Sequence, residues 1–410
     1  LNLICYDTLG PEVAHGWMAP SFRPASGTRA ETTRAGGPRK RVVRGSCATA
    51  NIASARNRLL DSATSEGTKR TYGSAFGPWA LWRVTRRQRL FLSPDDSVTD
   101  WEDELCDFYA HGGSTLGFSW HYMHTRLYAV RFAHHARRVT LDIRQNAMPF
   151  LCLLTKGLKR RCGADNRKVP VTIEQMLEIH DHDLDMSSYN GMITFLAVLV
   201  AFFFLLRCSE YLRKGRVIDS QKCVRQKDVK CLVKGQKVNC PVGVKSSEFT
   251  LHHNFDKVDF LGQGSDDNIG TCDYDSRLCI PSLVDRLRVK NPHWLVESRQ
   301  DDYLFQLDDG NLIEKTVITR LLRTAALRSG LDPSVMDTHS LRAGGCTAMA
   351  DAGFPEHEIQ RRGRWASACW KIYCWGTRAL GSDVANRMAQ ASSDLFAHLR
   401  SKMSSEPSVV

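Results

Sequence analysis

The 410-residue sequence lacks the cysteine patterns that mark a metal or disulfide scaffold. Its 14 cysteines run from Cys5 to Cys374 without a single Cys-x-x-Cys pair, and no secretion signal precedes them. The nearest group of metal-ligand types, His180 to Asp183, consists of adjacent residues and fits a solvated helix end or loop better than a metal site. We therefore predict reduced thiols in an intracellular protein, with no bound metal.

The sequence also lacks an internal repeat and an apolar run long enough to cross a membrane. Its most apolar stretch, Met192 to Leu206, has 15 residues and contains Thr194, whereas a membrane span needs about 20. A buried core helix that ends at Arg207 is therefore favoured over a transmembrane helix, and no membrane partner is predicted.

Acidic residues are fewer than basic ones. The 56 Lys and Arg against 44 Asp and Glu give a formal net charge of +12 and a pI near 9.1. A basic surface attracts nucleic acid or anionic lipid over a long range, although a basic soluble protein with no such partner is an alternative. With 42% hydrophobic and 24% charged residues, the chain is long enough for two or three domains with apolar cores.

The composition predicts five regions along the chain. They are a flexible basic arm (1–48), a helical domain (49–155), a basic linker (156–170), a second domain (171–380) and a C-terminal helix and tail (381–410). The arm contains the run Pro38 to Arg44, which fits nuclear import, phosphate contact or an ordinary linker. The sequence begins with Leu1 rather than Met, so we expect a fragment or a trimmed gene model.

The helical domain shows apolar residues at helical spacing. Tyr72, Phe76, Trp79 and Trp82 fall on one helix face, which Pro78 should kink or break. A capping box at Thr99 and Glu102 predicts the start of a further amphipathic helix.

Basic residues are concentrated in two stretches of the first half of the chain. His124, Arg131, His135 and Arg138 recur at spacings of seven, four and three, and we expect them to share one helix face that enters a DNA groove, unless that face is merely solvated. The predicted linker adds Lys159, Arg160 and Arg161, which suit a phosphate backbone, although linker flexibility alone could account for them.

The second domain mixes helix and strand patterns. Thr172 and Gln175 form a capping box at its start, and the apolar run from Met192 follows. β-branched residues in 217–233 and 237–251, with Lys234-Gly235 as a turn, predict a small antiparallel sheet. The predicted fold class is therefore mainly α with a small antiparallel sheet.

One stretch concentrates chemical groups. His339 and Arg342 are three residues apart, and Trp365 and Tyr373 follow. Guanidinium, imidazole and indole donors beside a phenol, without a carboxylate, favour a phosphate as the target. Upstream, the string Leu-Leu-Arg-Cys-Ser-Glu-Tyr-Leu ends at Leu212, and Lys245 follows a predicted strand.

The ordered set Arg207, Lys245, His339, Arg342, Trp365 and Tyr373 resembles the six catalytic positions of tyrosine recombinases. The strings Leu-Leu-Arg-x-Ser-Glu-x-Leu, His-x-Leu-Arg and Gly-Arg-Trp…Tyr look most like the recombinases of DIRS-like retrotransposons and cryptons. The resemblance implies a two-domain clamp around double-stranded DNA, with a SAM-like core-binding domain, assembly as a homo-tetramer on paired sites, and action in the nucleus of a eukaryotic host.

The resemblance also implies a role for each group. Arg207 and Arg342 would bind the scissile phosphate, Trp365 would donate a hydrogen bond, and His339 would assist proton transfer at Tyr373. Lys245 would protonate the leaving 5′ oxygen, with Lys230, Lys234 and Lys237 as alternatives on the same predicted hairpin, and Glu210 would orient Arg207 or His339. The 3′-phosphotyrosyl product conserves the phosphodiester energy, so no cofactor is implied.

Three functions fit this sequence. The leading prediction is a DNA strand-exchange enzyme, a recombinase or integrase of a mobile element. The alternatives are a decayed or domesticated element protein that binds DNA without cutting it, and an enzyme like type IB topoisomerases, which share the tyrosine chemistry.

Overall fold

The chain divides into two units, residues 1–165 and residues 166–410. The computed structural model describes residues 62–163, 168–233, 236–237, 245–254 and 264–375. The predicted basic arm, the predicted C-terminal helix and the predicted Lys234-Gly235 turn lie outside these residues. Within them, helices predominate and a small antiparallel sheet belongs to the second unit, as the sequence predicts.

The described part of the first unit is helical. Its helices are α1 (Glu66–Ala75), α2 (Gly77–Thr85), α3 (Val98–Ala110), α4 (Trp120–His135) and α5 (Pro149–Cys162). The break between α1 and α2 falls where the sequence predicts one, because Pro78 fits only the first turn of a new helix. Trp79 and Leu105 are both 0% exposed and lie in the core of this unit.

The predicted capping box of α3 is wrong by two residues. Ser97 and Asp100 form the box instead of Thr99 and Glu102, so the helix begins earlier than predicted. Glu102 is buried, and its carboxylate accepts a hydrogen bond from the Leu151 N–H at 2.9 Å. This carboxylate therefore caps the first turn of α5 rather than its own helix.

The second unit is built around the apolar run of the sequence. Its helices are α6 (Ile173–Glu178), α7 (Tyr189–Phe203), α8 (Ile280–Lys290), α9 (Lys315–Arg328), α10 (Thr338–Asp351) and α11 (Glu356–Arg362). Helix α7 is buried along its length, as predicted for a core helix. The predicted capping box at Thr172 and Gln175 is confirmed at the start of α6. Among the described residues, no helix combines the length and apolarity that a membrane crossing requires.

Two glycines allow α10 to approach its neighbours closely. A Cβ on Gly345 would lie 2.1 Å from the Phe202 carbonyl oxygen of α7, and one on Gly344 would lie 2.3 Å from the Val171 carbonyl oxygen. Only glycine leaves room for main chain at these distances. The pair therefore fixes α10, which carries His339 and Arg342, against the core.

In the part of the chain that the structure describes, the sheet has four strands in the order β2-β1-β3-β4, all antiparallel. The strands are β1 (Val229–Val233), β2 (Gln236–Lys237), β3 (Glu248–His253) and β4 (Ser265–Gly270). Phe249 and Leu251, both 0% exposed, attach β3 to the core. Strand β4, which the sequence pattern does not predict, pairs with β3 over its whole length.

The segment after α7 differs from the prediction. The helix ends at Phe203, and Leu205 has a φ of +52°, which turns the chain sharply. Arg207 therefore lies beyond the helix, at the start of a 3-10 turn over Cys208–Glu210. The turn brings Arg207 and Glu210 close enough to Arg342 of α10 for their charges to shift its pKa in opposite directions.

Candidate active site

Arg342 lies at the centre of the predicted site and is only 1% exposed. Its guanidinium donates hydrogen bonds to the carbonyl oxygens of Leu205 and Gly363, and it lies 4.3 Å from the centre of the Trp365 ring. Burial, together with the neighbouring cations Arg207 and Arg364, lowers the pKa of Arg342 to about 9. The site thus holds a guanidinium whose charged form is destabilised by burial and by the neighbouring cations.

Arg207 is the more accessible of the two predicted phosphate-binding arginines, with 27% of its side chain exposed. Glu210 is buried and accepts hydrogen bonds from the Arg207 guanidinium and from the Arg207 backbone N–H, both at 2.9 Å. Burial alone would raise the pKa of Glu210, but Arg364 and Arg207 outweigh it and hold that pKa below its ordinary value. Glu210 therefore stays ionised and holds the Arg207 side chain by these hydrogen bonds.

Tyr373 follows a short 3-10 helix, Ala368–Ile372, and lies beside the start of α10. Its ring centre is 5.0 Å from that of His339 and 5.3 Å from that of Trp365. Its carbonyl oxygen accepts a hydrogen bond from the Thr347 hydroxyl at 3.1 Å, which ties the segment to α10. The structure thus brings Arg207, His339, Arg342, Trp365 and Tyr373 together, as the sequence predicts.

His339 occupies the first turn of α10, which Asp337 caps by accepting its N–H at 2.7 Å. Burial of part of the ring and the cations Arg342 and Arg207 lower the pKa of His339, while Asp337 opposes the change. The imidazole is therefore uncharged near neutral pH and has a nitrogen that can accept a proton.

Lys245 is separate from this group. It is exposed, lies three residues before β3 and, among the described residues, has no hydrogen bond or ion pair with the other predicted catalytic side chains. Of the alternatives, Lys230 forms an ion pair with Asp266 at 3.1 Å, Lys234 lies outside the described residues, and Lys237 is described only as part of β2. The identity of the catalytic lysine stays a prediction.

Three buried polar residues that the sequence does not predict lie beside the site. Arg364 is 4% exposed and donates a hydrogen bond to Glu210 Oε2 at 2.6 Å. Its Nη1 lies 3.3 Å from Nε2 of His253, which in turn lies 3.3 Å from Oδ2 of Asp267. Arg364 stands within the Gly-Arg-Trp string, which could have marked it, whereas His253 and Asp267 belong to β3 and β4 and carry no motif.

The four residues predicted to share a DNA-binding face do not all lie on α4. His124, Arg131 and His135 lie on this helix, but α4 ends at His135 and Arg138 has a φ of +64° beyond it, so it does not extend the face. The His124 ring stacks on Trp120 with centres 4.9 Å apart, and burial, followed by His121 and Lys159, lowers its pKa. His124 therefore packs within the unit rather than presenting a charge.

The predicted linker cations lie on a helix. Lys159, Arg160 and Arg161 occupy the last turn of α5, because Leu158 packs into the core and keeps the chain helical as far as Cys162. All three are exposed at the surface. Arg161 also donates hydrogen bonds to the Ser114 hydroxyl and the Gly113 carbonyl oxygen. The linker prediction is therefore wrong for residues 156–162.

The group from His180 to Asp183 is engaged in ion pairs. His180 Nδ1 lies 2.6 Å from an oxygen of Asp181, Asp181 also pairs with Arg277, and Asp183 pairs with Arg328. Within the ranges that the structure describes, no cluster of three or more His, Cys, Asp or Glu side chains could hold a metal ion.

No model of a known protein family matches this sequence, and neither does any curated protein sequence. Solved structures are similar. The XerH site-specific recombinase bound to palindromic difH substrate, in a post-cleavage complex, gives a TM-score of 0.51 at 14% identity, over 83% of this chain and 83% of the XerH chain. The Tn1549 transposon integrase in complex with circular intermediate DNA gives 0.46 at 15% identity, over 82% and 97%. The helices of the second unit and their small antiparallel sheet have the fold of a tyrosine recombinase catalytic domain, as the similarity to XerH shows.

Proposed function

We propose that this chain cleaves and rejoins DNA strands, with Tyr373 as the nucleophile that forms a 3′-phosphotyrosyl bond. The observation that carries the proposal is the position of the Tyr373 ring, 5.0 Å from the His339 ring and 5.9 Å from the guanidinium carbon of Arg342. A phenol is a weak nucleophile near neutral pH and needs a base and nearby cations, and both surround this one. The fold, shared with proteins named as recombinases, supports the same reaction class.

The first step is attack of the Tyr373 oxygen on the scissile phosphate. His339 accepts the phenol proton, because its lowered pKa leaves the imidazole uncharged near neutral pH. The Tyr373 oxygen bonds to phosphorus, the bond to the 5′ oxygen breaks, and that oxygen takes a proton from Lys245 or from a nearby lysine. Attack by a 5′ hydroxyl then reverses these steps and restores a phosphodiester.

Cations stabilise the negative charge that builds up on the phosphate. Arg207 offers an oriented and partly exposed guanidinium to the non-bridging oxygens. Arg342 adds its positive charge from its place beside the Trp365 ring. It contacts the phosphate directly once a phosphate oxygen replaces one of the two carbonyl oxygens to which it donates. The indole of Trp365 donates a further hydrogen bond.

The wider setting is proposed from the family resemblance. The chain would act as a homo-tetramer on paired double-stranded DNA sites, as the recombinase or integrase of a mobile element of DIRS-like or crypton type, in the nucleus of a eukaryotic host. In the first unit, Arg131, His135, Lys159 and Arg160 would contact DNA phosphates. The formal net charge of +12 supports a polyanionic partner.

A second candidate function is DNA binding without cleavage. One observation favours it: Arg342 is 1% exposed and both ends of its guanidinium donate to backbone carbonyls. In this arrangement its hydrogen bonds serve the fold rather than a phosphate.

A nicked duplex that traps the covalent intermediate tests both candidates. We expect the wild-type chain to form a protein–DNA adduct that survives denaturing electrophoresis, and Tyr373→Phe to form none. Tyr274→Phe is the matched control, because Tyr274 is 81% exposed in the same unit and should react like wild type.

The other outcomes separate the alternatives. An adduct with Tyr373→Phe would show that another residue is the nucleophile. Retention of DNA by the wild type without any adduct would support the binding function. Relaxation of supercoiled plasmid that lacks a specific site would support an enzyme like type IB topoisomerases, whereas joining of two duplexes only at a specific site would not.

A further inference from the structure

Residues 363–365 hold both predicted phosphate-binding arginines through their main chain. The carbonyl oxygen of Gly363 accepts a hydrogen bond from Arg342, and the carbonyl oxygen of Arg364 accepts one from Arg207 at 3.4 Å. The ring of Trp365 then lies 4.3 Å from the Arg342 guanidinium carbon. The positions of both cations therefore depend on where this segment, called the 363–365 segment below, is fixed.

The side chain of Arg364 fixes the 363–365 segment. It is 2% exposed and donates to Glu210 Oε2 at 2.6 Å and to the Phe204 carbonyl oxygen at 3.2 Å. It reaches these acceptors from a backbone with φ +54°, a conformation that residues with a Cβ seldom adopt. Arg364 thus adopts a backbone conformation that would suit glycine, and its buried guanidinium is paired with the carboxylate of Glu210.

Glu210 receives one arginine on each oxygen. Arg207 donates to Oε1 at 2.9 Å and Arg364 donates to Oε2 at 2.6 Å, so the carboxylate bridges the two guanidinium groups. Arg364 is thus connected to Arg207 in two ways. Both side chains donate to Glu210, and the carbonyl oxygen of Arg364 accepts a hydrogen bond from Arg207.

The sheet supports Arg364 from behind. Nε2 of His253, on β3, lies 3.3 Å from Arg364 Nη1, and burial, partly opposed by Asp267, lowers the pKa of His253. Nε2 of an uncharged imidazole can accept a hydrogen bond from Arg364 or donate one to Asp267, but not both at once. Asp267 is 3% exposed, has Oδ2 at 3.3 Å from the same Nε2 and accepts a hydrogen bond from Arg361 at 2.8 Å.

The geometry points to Arg364 as a positioning residue: its buried guanidinium anchors the 363–365 segment to Glu210 and the sheet, and so sets the placement of Arg207 and Arg342 for the scissile phosphate. This inference rests on the proposed function. Arg364 has no direct contact with the phosphate in this role, so its loss should slow cleavage without weakening DNA binding.

The test compares Arg364→Gly with wild type in the full chain, on the nicked duplex. Glycine suits the backbone conformation, so the variant removes the side chain alone. We expect the Kd for DNA to stay within about threefold and the single-turnover rate of adduct formation to fall about 100-fold, the scale for a small misplacement of catalytic groups. The matched control is Arg87→Gly, an exposed arginine with φ +56°, which should cleave at the wild-type rate.

A double variant separates positioning from general damage. Because part of the effect of Arg364 acts through Arg207 and the rest through Arg342, Arg364→Gly should slow cleavage by a smaller factor in the Arg207→Ala variant than in wild type. Losses that multiply in full would overturn the inference, as would a wild-type rate in Arg364→Gly. Should Arg364→Gly unfold, Arg364→Lys keeps the charge beside Glu210 and should cleave at a reduced rate, and a wild-type rate there would equally overturn the inference. Absence of an adduct from the wild-type chain would instead refute the proposed function.

Discussion

His134 is buried in the first unit in a way that requires an uncharged ring. It is 0% exposed, its Nε2 accepts the Leu92 N–H at 3.0 Å, and its Nδ1 donates to the Val130 carbonyl oxygen at 2.7 Å. A charged imidazolium would have no lone pair for the Leu92 N–H. Burial lowers the pKa of His134 to about 4, with Arg83 and Arg137 adding to the effect and the bond to Val130 opposing it.

This residue should make the stability of the first unit depend on pH. Because the pKa is depressed in the folded state, the stabilisation is full above the unfolded value of 6.5 and is lost as pH falls toward the folded value of about 4. We expect a loss of about 2 kcal/mol between pH 7 and pH 5. Hydrogen exchange of α4 amides, followed by mass spectrometry, measures it.

Variants of adjacent histidines test this assignment. His134→Gln should remove most of the pH dependence, at a cost in stability at pH 7, because the ring and its two hydrogen bonds are lost. His135→Gln should leave the dependence intact, since His135 is exposed on the same turn. Equal pH profiles for the two variants would rule out His134 as the titrating group.

Residue types alone could predict most of the site residues but not the buried residues that hold them in place. Arg207, His339, Arg342, Trp365 and Tyr373 follow from ordered motifs, and the structure brings them together. The support from β3 and β4 could not be predicted, because His253 and Asp267 are isolated residues whose roles arise only from strand pairing.

At the scale of secondary-structure elements, the close contact between α7 and α10 fixes the position of His339 and Arg342. Gly345→Ala would bring a Cβ to 2.1 Å from the Phe202 carbonyl oxygen, and main chain cannot move aside without shifting the helix. We expect a loss of about 1–3 kcal/mol of unfolding free energy. Cleavage should slow as well, because Arg342 lies on the same helix.

Gly157→Ala is the matched control. Gly157 lies within α5, and a Cβ there meets nothing within 4 Å, so alanine should stabilise the helix by about 0.5–1 kcal/mol. Urea unfolding of both variants measures the two effects. A Gly345→Ala variant as stable as wild type would contradict the close packing of α7 and α10.

Periodicity predicted helices better than it predicted their ends. The apolar pattern predicts α7 correctly, but no residue type marks its end at Phe203, where Leu205 takes a left-handed conformation. The spacing that joins Arg138 to His135 continues past the true end of α4. Strand β4 was not predicted, because its residues are mostly polar and its structure depends on pairing with β3.

At the scale of the whole molecule, the excess of positive charge predicts that the affinity for duplex DNA falls as the salt concentration rises. Each phosphate contact that a cation makes adds about 0.9 to the slope of log affinity against log salt concentration. The exposed Lys159 and Arg160 at the end of α5 are candidates for such contacts. We expect the double variant Lys159→Gln with Arg160→Gln to lower the slope by about 1–2 for non-specific duplex DNA.

Fluorescence anisotropy at a series of salt concentrations measures this slope. Lys227→Gln is the control, because Lys227 already forms an ion pair with Asp301 at 2.7 Å and should add little to the slope. An unchanged slope in the double variant would show that the end of α5 makes no phosphate contacts.

The 363–365 segment also limits how the site can vary. The two carbonyl oxygens that accept from Arg342 and Arg207 belong to consecutive residues, whose Cα atoms lie about 3.8 Å apart. Exchanges of surrounding side chains can move either cation, but its anchor stays one residue from the other. An inserted or deleted residue between Gly363 and Trp365 would therefore disturb both cations at once, whereas an exchanged side chain leaves the covalent distance between the two anchors unchanged.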